Sequence, residues 1–253
     1  MEKTVGMLLL PRSLRQDQFT VPPTISCGRL PIQMVSTTKL LGVIVGNNLS
    51  WSAHVDHVCR KVGQKIGVLR RSFRQLSAQS RRLFLISVIQ PDLEYAASVT
   101  VPTMSSQLRD RLVAVWRKTV RCAAGARWQD ELPPLLHQLR LTPILHRWFL
   151  QTATTIRRCH LLCAPKPLCV KQQRTCHHFE TRGNNKSFRP ILSKTTSGRI
   201  SVSNRAPLLW NALDSEIQHS PSLAVFKSKL LSELNNYDSS VQLFQLAFSS
   251  TSL

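Results

Sequence analysis

Acidic side chains are the scarcest functional resource in this sequence: 13 Asp and Glu stand against 34 Lys and Arg, for a formal charge of +21. The shortage is local as well as global, because no Asp or Glu occurs from His57 to Pro91. It also limits the chemistry on offer. Two-metal phosphoryl transfer needs at least two carboxylates held together around the ions. Asp17, Asp56, Asp92, Asp110 and Asp130 are scattered, and no Tyr-x-Asp-Asp hairpin occurs. The expected catalytic set is therefore empty. A Gly-x-Ser-x-Gly turn is missing too, which argues against a hydrolase nucleophile of that kind.

Paired cysteines and long apolar runs are also lacking. The 7 cysteines are odd in number and irregularly spaced, with no Cys-x-x-Cys knuckle. That pattern predicts reduced thiols in the nucleus or cytoplasm, and it speaks against a disulfide framework. The apolar stretch from Leu83 to Pro91 is far short of the ~20 residues that span a bilayer. Val5 to Leu10 is followed by no small-residue cleavage pattern. The expectation is an intracellular chain that is not secreted and has no membrane partner.

What the sequence does have is cationic charge in helical register. Trp51, Val55, Val58, Val62, Ile66, Leu69, Phe73 and Leu76 follow one another at steps of three or four, which puts them on one narrow face of a helix ending near Leu76. Arg60, Arg71 and Arg74 fall on the opposite side, with Arg70 at its edge. A helix with one dry face and one purely cationic face lies beneath solvent or beneath a polyanion. A sequence pI of about 10.9 favours nucleic acid as that polyanion. Gly63 and Gly67 share the cationic face, and each costs roughly 1 kcal/mol relative to Ala in a helix interior. Close approach of a phosphate backbone would account for them.

The remaining elements follow the same reading. Thr24 to Ile32 predicts a hairpin turning at Gly28, and Lys39 to Val45 a further strand. Ser50 or Ser52 is the expected cap of the long helix. Ser77 opens a second helix with Leu83, Ile86 and Ile89, or Phe84 and Val88, toward the core, and Pro91 is expected to stop it. Asp92 to Ala96 continues as a helical turn. A third helix runs from Ser106 to Ala124, burying Leu108, Leu112, Val115, Trp116 and Ala123 beneath Arg111, Arg117, Lys118 and Arg121, with Gly125 as its C-terminal cap. Leu132 to Leu141 is a short helix, and Pro143 opens one that reaches about Cys163. After a polar linker, Arg199 to Val202 alternates like a strand, Ala206 to Leu213 is helical, and Leu223 to Leu234 forms a helix behind Ser220-Pro221-Ser222. Ser239 to Leu253 carries no charge and is expected to be loose or a weak strand.

Two groups invite a metal. Cys159, His160, Cys163, Cys169, Cys176, His177 and His178 bring thiolates and imidazoles close in sequence, but at no spacing that suits a zinc finger, so free thiols are expected and no metal is assigned. His54 and His57 sit at i, i+3 near the start of the long helix, where a solvated pair is expected.

Taken together, Lys3-Thr4, the hairpin with Gly28, Lys39-x-Leu41-Gly42-Val43, Asn48-Leu49-Ser50-Trp51-x-x-His54, Leu69-Arg70-Arg71, Pro91-x-Leu93-Glu94-Tyr95-Ala96 and Arg117-Lys118 resemble the C-terminal part of reverse transcriptases from LINE-type, non-LTR retrotransposons. Arg205-Ala206-Pro207-x-x-Trp210-Asn211-x-Leu213, followed by Ser222-Leu223-x-x-Phe226-Lys227, is similar to the closing segment of those reading frames. The resemblance implies that Lys3 matches the basic residue of the palm's fourth motif and that Leu41, Gly42 and Val43 match the primer grip, although that family usually has an aromatic residue where Leu41 stands. It implies that the palm strands bearing the catalytic aspartates lie upstream, leaving a truncated RNA-directed DNA polymerase fragment that does not polymerise alone. Palm and fingers would then come from another chain. The family uses magnesium, but the ligands for it are missing, so no cofactor is expected.

The resulting expectation is an α+β, mainly α protein: residues 1–50 the end of a palm-like sheet, 51–163 a helical thumb-like region, 164–187 a linker, 188–238 a small C-terminal module and 239–253 a flexible tail. Its expected partner is the phosphate backbone of RNA or DNA, held without sequence readout along Arg60, Lys61, Lys65, Arg70, Arg71, Arg74, Arg117, Lys118 and Arg121. The alternative is a non-functional or protein-interaction remnant of a mobile element with no nucleic-acid role.

Overall fold

A 20-residue helix, α1 (Ser52–Arg71), organises the chain, and Val55, Val58, Val62, Ile66 and Leu69 are all buried along it as their spacing predicts. The computed structural model describes residues 4–9, 25–27, 30–162, 198, 201–235, 243–244 and 247–248. Within them the protein is α+β and mainly α. Trp51 stands at the N-cap position of α1, and the Ser52 N–H is satisfied by the Ser50 hydroxyl at 3.2 Å. At the other end the helix stops at Arg71, short of Leu76. The chain there tightens through Phe73 N–H to Arg70 O and Gln75 N–H to Ser72 O, one residue closer than helical bonds. That turn swings Phe73 against Gly125, where an added Cβ would meet the ring at 2.7 Å.

The strands are short and come in pairs. β1 (Val5–Gly6) runs parallel to β4 (Gln33–Met34), and β2 (Ser26–Cys27) is antiparallel to β3 (Leu30–Pro31), which is the expected first hairpin. Lys39 to Val45 is not one strand. It contains β5 (Thr37–Leu40), a reversal at Leu41 and Gly42, and β6 (Val43–Gly46), registered Thr37 to Gly46 and Leu40 to Val43. Both reversal residues have positive φ, 47° and 85°, the pattern of turns whose twist suits a tight hairpin. Gly42 supplies that freedom, and alternation along a β-rich run gives no sign of it.

Ser77 caps α2 (Ala78–Phe84) by accepting the Ser80 N–H at 3.1 Å. The chain then passes without a break through a π turn at Leu85–Ile89 into α3 (Gln90–Glu94), so Pro91 does not end the helix. A proline ring inside an α-helix collides with the carbonyl four residues back, and the wider π turn relieves that collision. The inserted residue also rotates the apolar face. Leu85 and Ile89 are fully buried, while the expected core residue Leu83 is 57% exposed and Phe84, Ile86 and Val88 are half-buried.

After α4 (Ala97–Thr103), α5 (Ser106–Ala124) has the predicted bounds and ends on Gly125 at φ 73°. α6 (Leu132–Gln138) and α7 (Ile144–Leu162) follow as expected. Ser201 and Val202 belong to no strand: Ser201 is the extended N-cap residue of α8 (Val202–Ala212). Then come α9 (Ser215–Gln218) and α10 (Leu223–Leu234), whose cap Ser222 accepts the Val225 N–H at 3.2 Å. The linker and the thiols from Cys163 to Cys176 lie outside the described residues.

α1 packs chiefly on α5, and α4, α8 and α10 pack on α7. One contiguous core runs from Val55 through Trp116, Trp148 and Phe226 to Phe248. In the uncharged C-terminal stretch, expected to be loose or a weak strand, the four described residues pack against the helices. Leu243, Ala247 and Phe248 are buried, and Phe244 lies 5.7 Å from Phe149 and 6.1 Å from Phe248 between ring centroids.

Candidate nucleic-acid interface

The nine predicted cations divide into three groups. Lys61 and Lys65 are already paired: both reach Asp92, at 2.9 and 2.5 Å, and Lys65 also donates to the Val88 carbonyl at 2.6 Å. Burial by itself would raise the Asp92 carboxyl, but the bonds from Lys65 and Lys61 outweigh it and hold the group below its ordinary range. Asp92 stands just beyond the acid-free stretch, on α3, so the sequence interval from His57 to Pro91 gave a misleading impression of unpaired charge. Arg60, Arg71 and Arg117 are exposed on the outer surfaces of α1 and α5. Among the described residues, none of these three is in an ion pair.

The third group is brought together. Arg70 at the end of α1 and Arg74 in the turn after it, with Lys118 and Arg121 from α5, line a cleft of about 740 Å³ between the two helices. Phe73, Val115 and Cys122 supply its apolar lining, and none of its lining residues is acidic. Cys122 bonds to Arg70, yet burial dominates and pushes the thiol above its usual range. Arg121 is half-buried and structural as well as cationic: it donates twice to the Asp130 carbonyl, at 3.3 and 3.2 Å. Arg111, on the same helix, is paired with Asp56 at 2.5 Å.

Trp128 completes the cleft and was not among the predicted residues. It is 78% exposed. A signal was available, since a tryptophan three residues beyond a glycine helix stop belongs to no apolar stripe. Gly63 is exposed as the sequence suggests: a Cβ there would meet nothing within 4 Å, so no packing among the described residues calls for the glycine.

At the hairpin tip, Leu41 is 85% exposed and its carbonyl accepts the Tyr95 hydroxyl at 2.5 Å. A Cβ on Gly42 would lie 3.2 Å from the same tyrosine ring, so glycine serves both the turn and the contact. The hairpin is held a second time by His54, whose Nδ1 accepts the Ile44 N–H at 3.4 Å. His54 is therefore buried and bonded, not part of a solvated pair, and burial, then the nearby His57, lowers its pKa. Lys3 lies outside the described residues. No group of three or more His, Cys, Asp or Glu among the described residues is arranged to hold a metal ion. No helix among them is long and apolar enough to cross a membrane.

No protein-family model matches the chain, and no solved structure is similar to it. Over 126 residues it is 22% identical to a probable RNA-directed DNA polymerase from transposon X-element of Drosophila melanogaster. The matched stretch is 49% of this chain and 14% of that protein, so the chain spans a small part of its relative's length. The likeness is distant and partial, and it is to a reverse-transcriptase-type protein.

Proposed function

Proceeding from that partial likeness, we propose that the chain is a thumb-like part of a LINE-type RNA-directed DNA polymerase that holds the phosphate backbone of RNA or DNA against α1 and α5. The observation that carries this reading is the cleft in which Arg70, Arg74, Lys118 and Arg121 converge without an acidic neighbour in its lining. Arg60, Arg71 and Arg117 extend the cationic surface outside it. Contacts of this kind neutralise phosphates and release counterions, giving affinity that is insensitive to sequence and steeply dependent on salt. Lys61 and Lys65 belong instead to the internal support of α1 on α3. The hairpin tip at Leu41, Gly42 and Val43, fixed by Tyr95 and His54, takes the position of a primer grip in this reading. In this reading the chain holds nucleic acid and leaves the two-metal chemistry to the palm of the polymerase.

The test is a titration of labelled duplex at several salt concentrations. The native chain binds with a steep negative slope of log affinity against log salt. A variant with Arg70→Glu, Arg74→Glu and Lys118→Glu loses about three units of that slope, one for each phosphate contact removed. Equal binding and equal slope for the two proteins would leave the protein-interaction alternative as the better account. Primer extension by the chain with magnesium would contradict the non-catalytic part of the reading.

A further inference from the structure

The turn that carries Trp128 is tied at each corner, although the ring itself is 78% exposed. Gly125 ends α5 at φ 73°, and the Ala126 N–H returns to the Arg121 carbonyl at 3.0 Å. Asp130 accepts the Arg127 N–H on its carboxylate at 2.6 Å, and its own N–H reaches the Arg127 carbonyl at 3.3 Å. Arg121 clamps the Asp130 carbonyl and carries its guanidinium 5.2 Å from the centre of the indole. The indole is thus a large flat apolar surface, held in place beside a cationic cleft.

Four cations alone would suit any polyanion. An exposed indole on a hydrogen-bonded turn next to them narrows the class, because each nucleobase has a π-face that stacks on an aromatic ring, whereas an acidic peptide has no general need of one. The volume, about 740 Å³, falls within the range of small-ligand sites, roughly 300–1,000 Å³. Bases in a continuous duplex are stacked on one another and do not present a free face. An unpaired nucleotide does.

We propose that the α1–α5 cleft receives an unpaired nucleotide of a single-stranded segment, its base stacked on Trp128 and its flanking phosphates on Arg70, Arg74 and Lys118. The inference rests on the backbone-binding reading above and adds a preference for single strand over duplex. It deepens that reading from charge alone to charge plus a stacking platform.

Anisotropy titrations of a short labelled single strand and of its blunt duplex, at one low salt concentration, separate the two ideas. Trp128→Ala weakens single-strand binding by about tenfold, the scale of one lost base–aromatic stack, and weakens duplex binding less. Trp128→Phe keeps most of the single-strand affinity. Arg74→Glu with Lys118→Glu weakens both substrates. If Trp128→Ala changes the two affinities by the same factor, or changes neither, the nucleotide site is overturned while backbone binding stands. If the native chain binds neither substrate, the backbone reading fails and takes this one with it. Competition by an acidic peptide equal to that by a single strand of the same charge also overturns the nucleotide site. Trp128 is at the surface, so a thermal melt of Trp128→Ala matching the native chain shows that folding is not the cause of any loss.

Discussion

Arg70, at the end of α1, and Arg74, in the turn after it, line an open cleft, whereas Arg157 on α7 and Arg205 on α8 are buried and turned against backbone carbonyls. Arg157 donates to the carbonyls of Gln218 and Ser220 and lies 4.7 Å over the Phe226 ring. Arg205 donates to Pro102 O at 2.6 Å and Ala247 O at 2.7 Å. Burial, with Arg109 nearby, lowers its pKa to about 10, so it stays charged at neutral pH. The same side chain therefore serves two ends in one molecule. In the α1–α5 half it is a surface charge available to a polyanion. In the α7–α10 half it closes helix ends and holds the C-terminal residues to the core. A net charge of +21 is then a poor measure of the binding surface, because part of it is structural.

The comparison is most exposed at Arg205. Arg205→Ala removes a charged donor from two carbonyls and frees space in the core. It is expected to cost about 2–4 kcal/mol of stability, read as a lower midpoint in urea, with affinity for nucleic acid unchanged in the fraction that remains folded. The triple charge reversal at Arg70, Arg74 and Lys118 is expected to do the opposite, since exposed positions usually move stability by less than about 0.5 kcal/mol. A large loss of binding on Arg205→Ala at full folding would erase the distinction between the halves.

The same contrast explains how much the sequence disclosed. Where a helix packs one stripe on one neighbour, periodicity is sufficient: α1, α5, α7 and α10 were legible from their apolar steps, with Gly125 and Ser222 marking the ends of α5 and α10. Features that depend on a partner far along the chain were not. Asp92 captures Lys61 and Lys65 from another helix, and Arg205 reaches the Pro102 carbonyl, 103 residues before it, and the Ala247 carbonyl, 42 after it. The π turn was hidden for a different reason: one inserted residue shifts Leu83 out of the core and lets Pro91 remain helical, and no residue type announces it. Trp128 was visible as a residue but not as a platform, because the bonds from Arg121 and Asp130 that fix it exist only in the folded turn. The C-terminal aromatic residues read as a tail because their partners, Phe149 and Arg109, come from α7 and α5.

Acid is a gentler probe, and each half contains one histidine whose pKa is lowered. For His54 the causes are burial and then His57, and for His146 on α7 the cause is burial. In the folded state both resist protonation, whereas in the unfolded chain they accept a proton near pH 6.5. The unfolded state thus binds more protons on acidification, so stability is fully present above about pH 6.5 and declines as pH falls below it toward the lowered values. The two histidines differ in what protonation breaks. A proton on His54 Nδ1 displaces the Ile44 N–H and loosens the β5–β6 hairpin, while His146 is half-buried beside Phe244 and only gains a charge. Hydrogen exchange at Ile44 should accelerate between pH 6.5 and 5 ahead of amides in α7. Uniform acceleration in both regions would show that the hairpin is not separately held.

The smallest effect bears most directly on whether the outer face of α1 is shaped by the fold or by a partner. Gly63 is exposed in the middle of that helix, and a methyl group there would touch nothing among the described residues, whereas one on Gly67 would come within 3.8 Å of Arg71. Gly63→Ala should therefore stabilise the protein by up to roughly 1 kcal/mol, from the lower backbone entropy of the unfolded chain and better helix propensity. A fold-driven sequence has no reason to keep glycine at such a site. If a sugar-phosphate backbone lies close against this face, the same methyl stands in its way, and affinity falls even as the melting temperature rises. Opposite movement of the two quantities assigns the glycine to the partner. A variant that is more stable and binds equally well removes Gly63 from the interface and confines contact to the cleft around Arg70, Arg74 and Lys118.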